Sequence, residues 1–83
     1  MVTPSSVKSG IESGLACEHC EVIGDGQHFQ AVVVSAAFAG KSRVQRHQLV
    51  YAALGDRMRE EIHALSMQTL TPEEWNKKDT FDR

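Results

Sequence analysis

Hydrophobic spacing along this chain switches between a helical repeat and strict alternation, and each switch marks an element. In TPSSVKSGIESGLA, Val7, Ile11 and Leu15 recur at i, i+4 and i+8, on one face of a helix. Thr3 suits its N-cap and Pro4 its first position. Gly10 and Gly14 each cost such a helix roughly 1 kcal/mol against alanine, so it needs tertiary packing to persist. CEVIGDGQHFQAVVVSAAF then reads as two strands around a tight turn at Asp25-Gly26, because glycine takes positive φ without steric cost. The nearly unbroken apolar run from Phe29 to Phe38 predicts a buried central strand.

GKSRVQRHQLVYAALGD carries the clearest helical signal. Ser42 and Gln45 have capping-box spacing, and Gly55 supplies the stop. Val44, His47, Val50, Tyr51 and Leu54 are expected to share its inner face, with Gln45 and Arg46 pointing away. Arg57 to Glu61 is expected to form a turn or short helix. IHALSMQTL returns to alternation, with Ile62, Ala64 and Ser66 opposite His63, Leu65 and Met67. TPEEW opens a last short helix: Thr71 caps it, Pro72 occupies its first turn and Glu74 completes a box. NKKDTFDR is expected to be a solvated tail. These elements predict an α+β fold, with helices over one face of a three-stranded sheet.

Length and composition narrow the picture only a little. Eighty-three residues sustain one hydrophobic core, so a single domain over 1–83 is expected, ordered over about 4–77. The chain is 41% apolar and 24% charged, ordinary for a soluble globular protein. A formal charge of −2 and a pI near 6.0 argue against strong generic attraction to nucleic acid or anionic membranes. No apolar stretch has the length of a signal peptide or membrane span, so a cytoplasmic protein with reduced thiols is expected, a monomer or weak homodimer on its own.

The chemistry-bearing residues are few. His47 sits among apolar positions and reads either as a half-buried histidine bonded within the fold or as a residue at a ligand or partner surface. His28 follows the Asp-Gly turn and His63 heads an apolar strand. Each alone reads as an exposed histidine, yet a hairpin loop and a strand end are places that a fold can bring together. Cys17 and Cys20 form a C-x-x-C with His19 inside it. A structural zinc site commonly needs two such pairs, and a thioredoxin-type motif opens a helix after a strand, whereas this one precedes a strand; ordinary thiols are expected. No Ser-His-Asp order, nucleotide-binding glycine loop or persuasive carboxylate pair is present, so no enzyme is expected. Lys41, Arg43, Arg46, Arg57 and Arg59 form either a solvated face or a basic patch at the start of the main helix. Lys41, Arg43, Arg46 and His47 are its candidates for a partner or nucleic-acid surface.

Taken together, HFQAVVVSAAFAGKSRVQRHQLVYAAL and IHALSMQTLTPEEW resemble the BolA family over roughly residues 5 to 77. The short GDGQHF hairpin is most similar to the IbaG (YrbA) branch. The resemblance implies an α-β-β-α-α-β-α order similar to class II KH domains. It implies partnership with a monothiol glutaredoxin of the CGFS type, in which a [2Fe-2S] cluster is shared with glutathione and two residues of the BolA-like chain. Carried onto this sequence, one ligand is His63 and the second, from the loop between the first two strands, is His28. No cofactor is expected in the isolated chain. The loop matches the family imperfectly, since many members place that ligand further from the following Phe, where Asp25 stands here. That leaves as alternatives a cluster bound through His63 with Cys20, His19 or His47, or a partnership without a stable cluster. The competing class is a DNA-binding transcriptional regulator that uses the KH-like fold. FAGKSRV offers one glycine where a KH domain carries G-x-x-G.

Overall fold

β2 (His28–Val34) has a neighbour on each side, and its two pairings set the positions of everything else. β1 (His19–Gly24) runs antiparallel to it, from His19 opposite Val34 to Gly24 opposite Phe29. β3 (Ala64–Leu70) runs parallel to it, from His28 opposite Ala64 to Val34 opposite Leu70. A parallel neighbour requires a crossover connection. That connection carries α2 (Arg43–Leu54), while α1 (Pro4–Gly14) precedes the sheet and α3 (Pro72–Phe81) follows it. This is the α+β order expected. The computed structural model describes residues 3–55 and 64–81, so the helical piece expected over Arg57 to Glu61, and also His63, lie outside the described residues.

Strand alternation places Cys20, Phe29, Ala31, Val33, Met67 and Thr69 on one sheet face, where all are buried. Val7 and Ile11 of α1, Val50 and Leu54 of α2, and Phe38 close over that face to form the core. α1 starts as predicted, with Thr3 Oγ1 accepting from the Ser6 amide at 3.1 Å. Gly14 at its end explains a residue that weakens the helix in isolation. A Cβ there would lie 2.8 Å from Ala53 Cα, so the missing side chain is what lets α1 and α2 approach.

The expected strand over Phe29 to Phe38 stops at Val34. Ser35 is fully buried, and its hydroxyl donates to the Ala16 carbonyl at 2.6 Å while accepting from the Ala37 amide at 3.1 Å. Those bonds turn the chain into a 3-10 turn at Ala36–Phe38, which swings Phe38 into the core.

α2 has its predicted capping box and ends at Gly55, whose φ of 61° suits glycine. Its inner face differs from the expectation. Val50 and Leu54 are buried, but Val44 is 66% exposed and Tyr51 40% exposed. Arg46 takes the inward place instead, with its side chain only 14% exposed. It sits i−4 from Val50 and i−8 from Leu54, and its guanidinium carbon lies 5.9 Å from the centroid of the Phe38 ring. An arginine can face inward here because its charged end finds polar partners at the far side.

α3 opens on the predicted Thr71–Glu74 box and runs on to Phe81, through residues expected as tail. Its Trp75 stacks on His19, ring centroids 4.9 Å apart and planes 19° from parallel. His19 belongs to the sheet face opposite Cys20, so α1 and α2 cover one face and Trp75 covers an end of the other.

Candidate functional site

The hairpin tip holds His28 firmly. Asp25 Oδ1 accepts from the Gln27 amide at 3.0 Å and the His28 amide at 2.9 Å, and the Asp25 amide donates to the His28 carbonyl at 3.2 Å. Those donors, His28 first, hold the Asp25 carboxyl below its ordinary pKa. Gly26 has a φ of 101°. A Cβ on Gly24 would meet both the His28 carbonyl oxygen and Phe29 Cδ1 at 2.6 Å, so the chain folds back tightly over a bare glycine. The His28 residue stands exposed on this short turn, opposite Ala64 at the head of β3. His63 precedes Ala64 in the chain and lies outside the described residues. Neighbouring strands run about 4.8 Å apart, which puts His28 beside the point where the chain enters β3.

The remaining histidines and both cysteines belong elsewhere. His19 and Cys20 pair with Val34 and Val33, at the opposite end of β2 from His28. At about 3.3 Å per residue that is roughly 20 Å, too far for one metal centre to draw ligands from both ends. His47 lines a groove with Met67, Gln68, Thr69 and Leu70, further along β3 than the Ala64 end. Of the four candidates for a second ligand, His28, Cys20, His19 and His47, only His28 stands at the head of β3.

That groove, about 450 Å³, is completed by Lys41, Arg43 and Arg46. Lys41 and Arg43 are exposed and have no ion-pair partner among the described residues. His47 is half-buried, with Nε2 lacking a hydrogen-bond partner among the described residues and its ring edge-on to Tyr51 at 6.4 Å. Burial, and then the Arg43 charge, push its pKa below the usual histidine value, so its neutral form is favoured. Arg46 was expected to point away from the helix's inner face and instead serves the fold. Its Nη1 donates to Glu74 Oε1 at 2.7 Å and the Thr69 carbonyl at 3.0 Å, its Nη2 to Glu74 Oε2 at 3.2 Å, and its Nε to the Lys41 carbonyl at 3.0 Å. Glu74 is the residue that sequence reasoning missed: it was assigned only a capping role, and nothing local points to a partner 28 positions away.

Residues 2–74 match the BolA family, described as BolA-like protein. Human BolA-like protein 1 is 37% identical over 81 residues, covering 98% of this chain but 57% of its own, so this chain spans just over half the length of that relative. The acid stress protein IbaG of Escherichia coli K12 is 38% identical over 72 residues, 86% of each chain. A solved BolA homologue from Coxiella burnetii superposes with a TM-score of 0.80 at 47% identity, covering 92% of this chain and 99% of that one. The strand order, the helix set and the match over residues 2–74 agree: this chain belongs to the BolA family.

Proposed function

We propose that this chain is a non-catalytic cytoplasmic partner of a monothiol glutaredoxin, and that the two proteins and glutathione together hold a [2Fe-2S] cluster for iron-sulfur trafficking or iron, redox and stress regulation. His63 and His28 are the ligands that this chain contributes. The observation that supports the pair is the parallel register, which sets His28 opposite Ala64, the residue joined to His63. Exposure and a rigid turn suit His28 to a ligand shared across an interface, since little reorganisation accompanies binding. Among the described residues no three His, Cys, Asp or Glu side chains gather as a metal site, so a metal held at His28 takes its remaining ligands from beyond them or from another molecule.

Two neutral imidazoles in place of thiolates reduce the negative charge at such a cluster and raise its potential, as in Rieske centres. A ring nitrogen must be free of its proton to bind iron, so proton and metal compete for each ligand. The groove that Lys41 and Arg43 line at the start of α2 runs beside Met67 to Leu70 of β3, within the span of one interface of standard size from the Ala64 end, about 800 Å² per partner. Their role is at its rim. Co-expression with a CGFS glutaredoxin, followed by visible absorption, tests the reading: a coloured heterodimer is expected, and a colourless complex or none overturns it.

A regulator that binds DNA draws support from the same two exposed cations. It is disfavoured by the formal charge of −2 and by the single Gly40 in FAGKSRV. Steep salt dependence of DNA retention would favour it.

A further inference from the structure

The C-x-x-C segment is left unused by the site at His28, and its surroundings are specific. Cys17 and Cys20 flank the entry to β1, both are free thiols, and Cys17 packs against the core cluster that contains Cys20. Cys17 is half-buried and its Sγ donates to the Leu15 carbonyl at 3.3 Å; Cys20 is 5% exposed and packs in the core. The segment is pinned at two points, by Ser35 Oγ on the Ala16 carbonyl at 2.6 Å and by the Glu18 amide on the Val34 carbonyl at 2.8 Å. Between the cysteines, His19 stacks on Trp75, the chain's one tryptophan.

We propose that Cys17 and Cys20 are a reversible dithiol–disulfide couple that exchanges with low-molecular-weight disulfides and reports its state through His19 to Trp75. Cys17 is the entry thiol because Cys20 is enclosed. It loses its proton, its sulfur attacks one sulfur of glutathione disulfide, and one glutathione leaves as thiolate and is protonated. Cys20 then loses its proton and attacks Cys17 Sγ, and the second glutathione leaves. Two protein thiols are oxidised, one small disulfide is reduced to two thiols, and no other oxidant is consumed.

The environment sets the character of the couple. Burial first, and then neighbouring negative charge, raise the Cys17 pKa and push that of Cys20 up to about 12. Scarce thiolate makes exchange slow at neutral pH. Couples that oxidise strongly owe this to a stabilised reduced form; here burial withholds thiolate stabilisation, so a disulfide once closed resists reduction. Closure draws the backbone of residues 17 to 20 together, and His19 moves with it against Trp75.

The test incubates the folded full chain in glutathione buffers of increasing disulfide fraction, reading intact mass and Trp75 emission. The expected product is lighter by two hydrogens, is restored by dithiothreitol, and shifts Trp75 emission in step with its mass. Cys20→Ser should stop at a glutathione adduct on Cys17, and Cys17→Ser should show neither adduct nor emission change. Wild-type protein that stops at the adduct, or stays reduced at the highest disulfide fraction, overturns the couple. A closed disulfide with unmoved Trp75 emission overturns the report through His19. Cys20→Ala repeats the adduct test should the polar replacement unfold the core.

Discussion

Arg46 grips both carboxylate oxygens of Glu74, at 2.7 and 3.2 Å, and so ties the first turn of α2 to the first turn of α3. The same guanidinium holds the carbonyls of Thr69 at the end of β3 and Lys41 ahead of α2. One side chain therefore joins both helix starts, the strand end and the loop that lines the basic groove. The carboxylate is anchored in turn by the Thr71 amide, at 2.9 Å from Glu74 Oε1. Charge-assisted, planar contacts of this kind are stronger than an exposed ion pair.

Arg46→Ala should lower unfolding stability by about 2 kcal/mol, since it removes charged hydrogen bonds from a largely buried donor. Arg46→Lys should recover little of it, because an ammonium cannot span two carboxylate oxygens and two carbonyls at once. Urea denaturation of the three proteins measures this. Equal midpoints would show that the grip contributes nothing.

Acid should act through two groups in the same direction. Hydrogen bonds from Arg46 and Thr71 lower the Glu74 pKa, and burial lowers that of His47. A folded-state pKa below the unfolded value means that the contribution is present above the unfolded pKa and is lost as pH falls through the folded one. Loss linked to His47 should begin below about pH 6.5 and loss linked to Glu74 below about pH 4.3, the second reduced because that carboxylate is partly exposed. His47→Gln should flatten the upper stage and Glu74→Gln the lower in urea midpoints taken across this range. A variant whose acid profile parallels wild type would refute its assignment.

Gly14→Ala should destabilise, although glycine to alanine ordinarily stabilises a helix by up to about 1 kcal/mol. The new Cβ would meet Ala53 Cα at 2.8 Å, which is backbone and cannot swing aside. Overpacking should win by about 1 kcal/mol or more. A raised thermal midpoint would show that α1 and α2 have room to spare.

Replacing both Lys41 and Arg43 with glutamate should slow glutaredoxin association by about tenfold at low salt, with little effect on dissociation, because rim charges act on encounter. Arg46 is unsuited to that test, since reversing its charge would break the Glu74 grip. Stopped-flow mixing at two ionic strengths separates the rates. An unchanged association rate alongside lost DNA retention would move the pair to the regulator reading.

Local signals in the sequence were informative where the physics is local. The Ser42–Gln45 and Thr71–Glu74 boxes, the Asp25-Gly26 turn and the alternation of Leu65 and Met67 all act within a few residues, and each stands where predicted. Non-local features were hidden. Arg46 turned inward because Glu74 and the Thr69 carbonyl lie across the fold, a pairing that helical periodicity does not encode. The strand from Phe29 stopped early because buried Ser35 found Ala16, 19 positions back. For the site, His28 was legible as a turn residue, but its separation from His19, Cys20 and His47 follows only from the strand register and the groove.

Iron held at the His28 end of the sheet, as proposed, is read by visible circular dichroism of the co-expressed glutaredoxin complex. His28→Ala should leave a labile cluster or a colourless complex. His28→Cys should keep the colour while lowering the potential, since a thiolate ligates iron but adds negative charge. Cys20→Ser, at the far end of β2, should leave the spectrum as in wild type. A spectrum unchanged by His28→Ala and bleached by Cys20→Ser would rule out His28 as a ligand and place the cluster on the C-x-x-C segment.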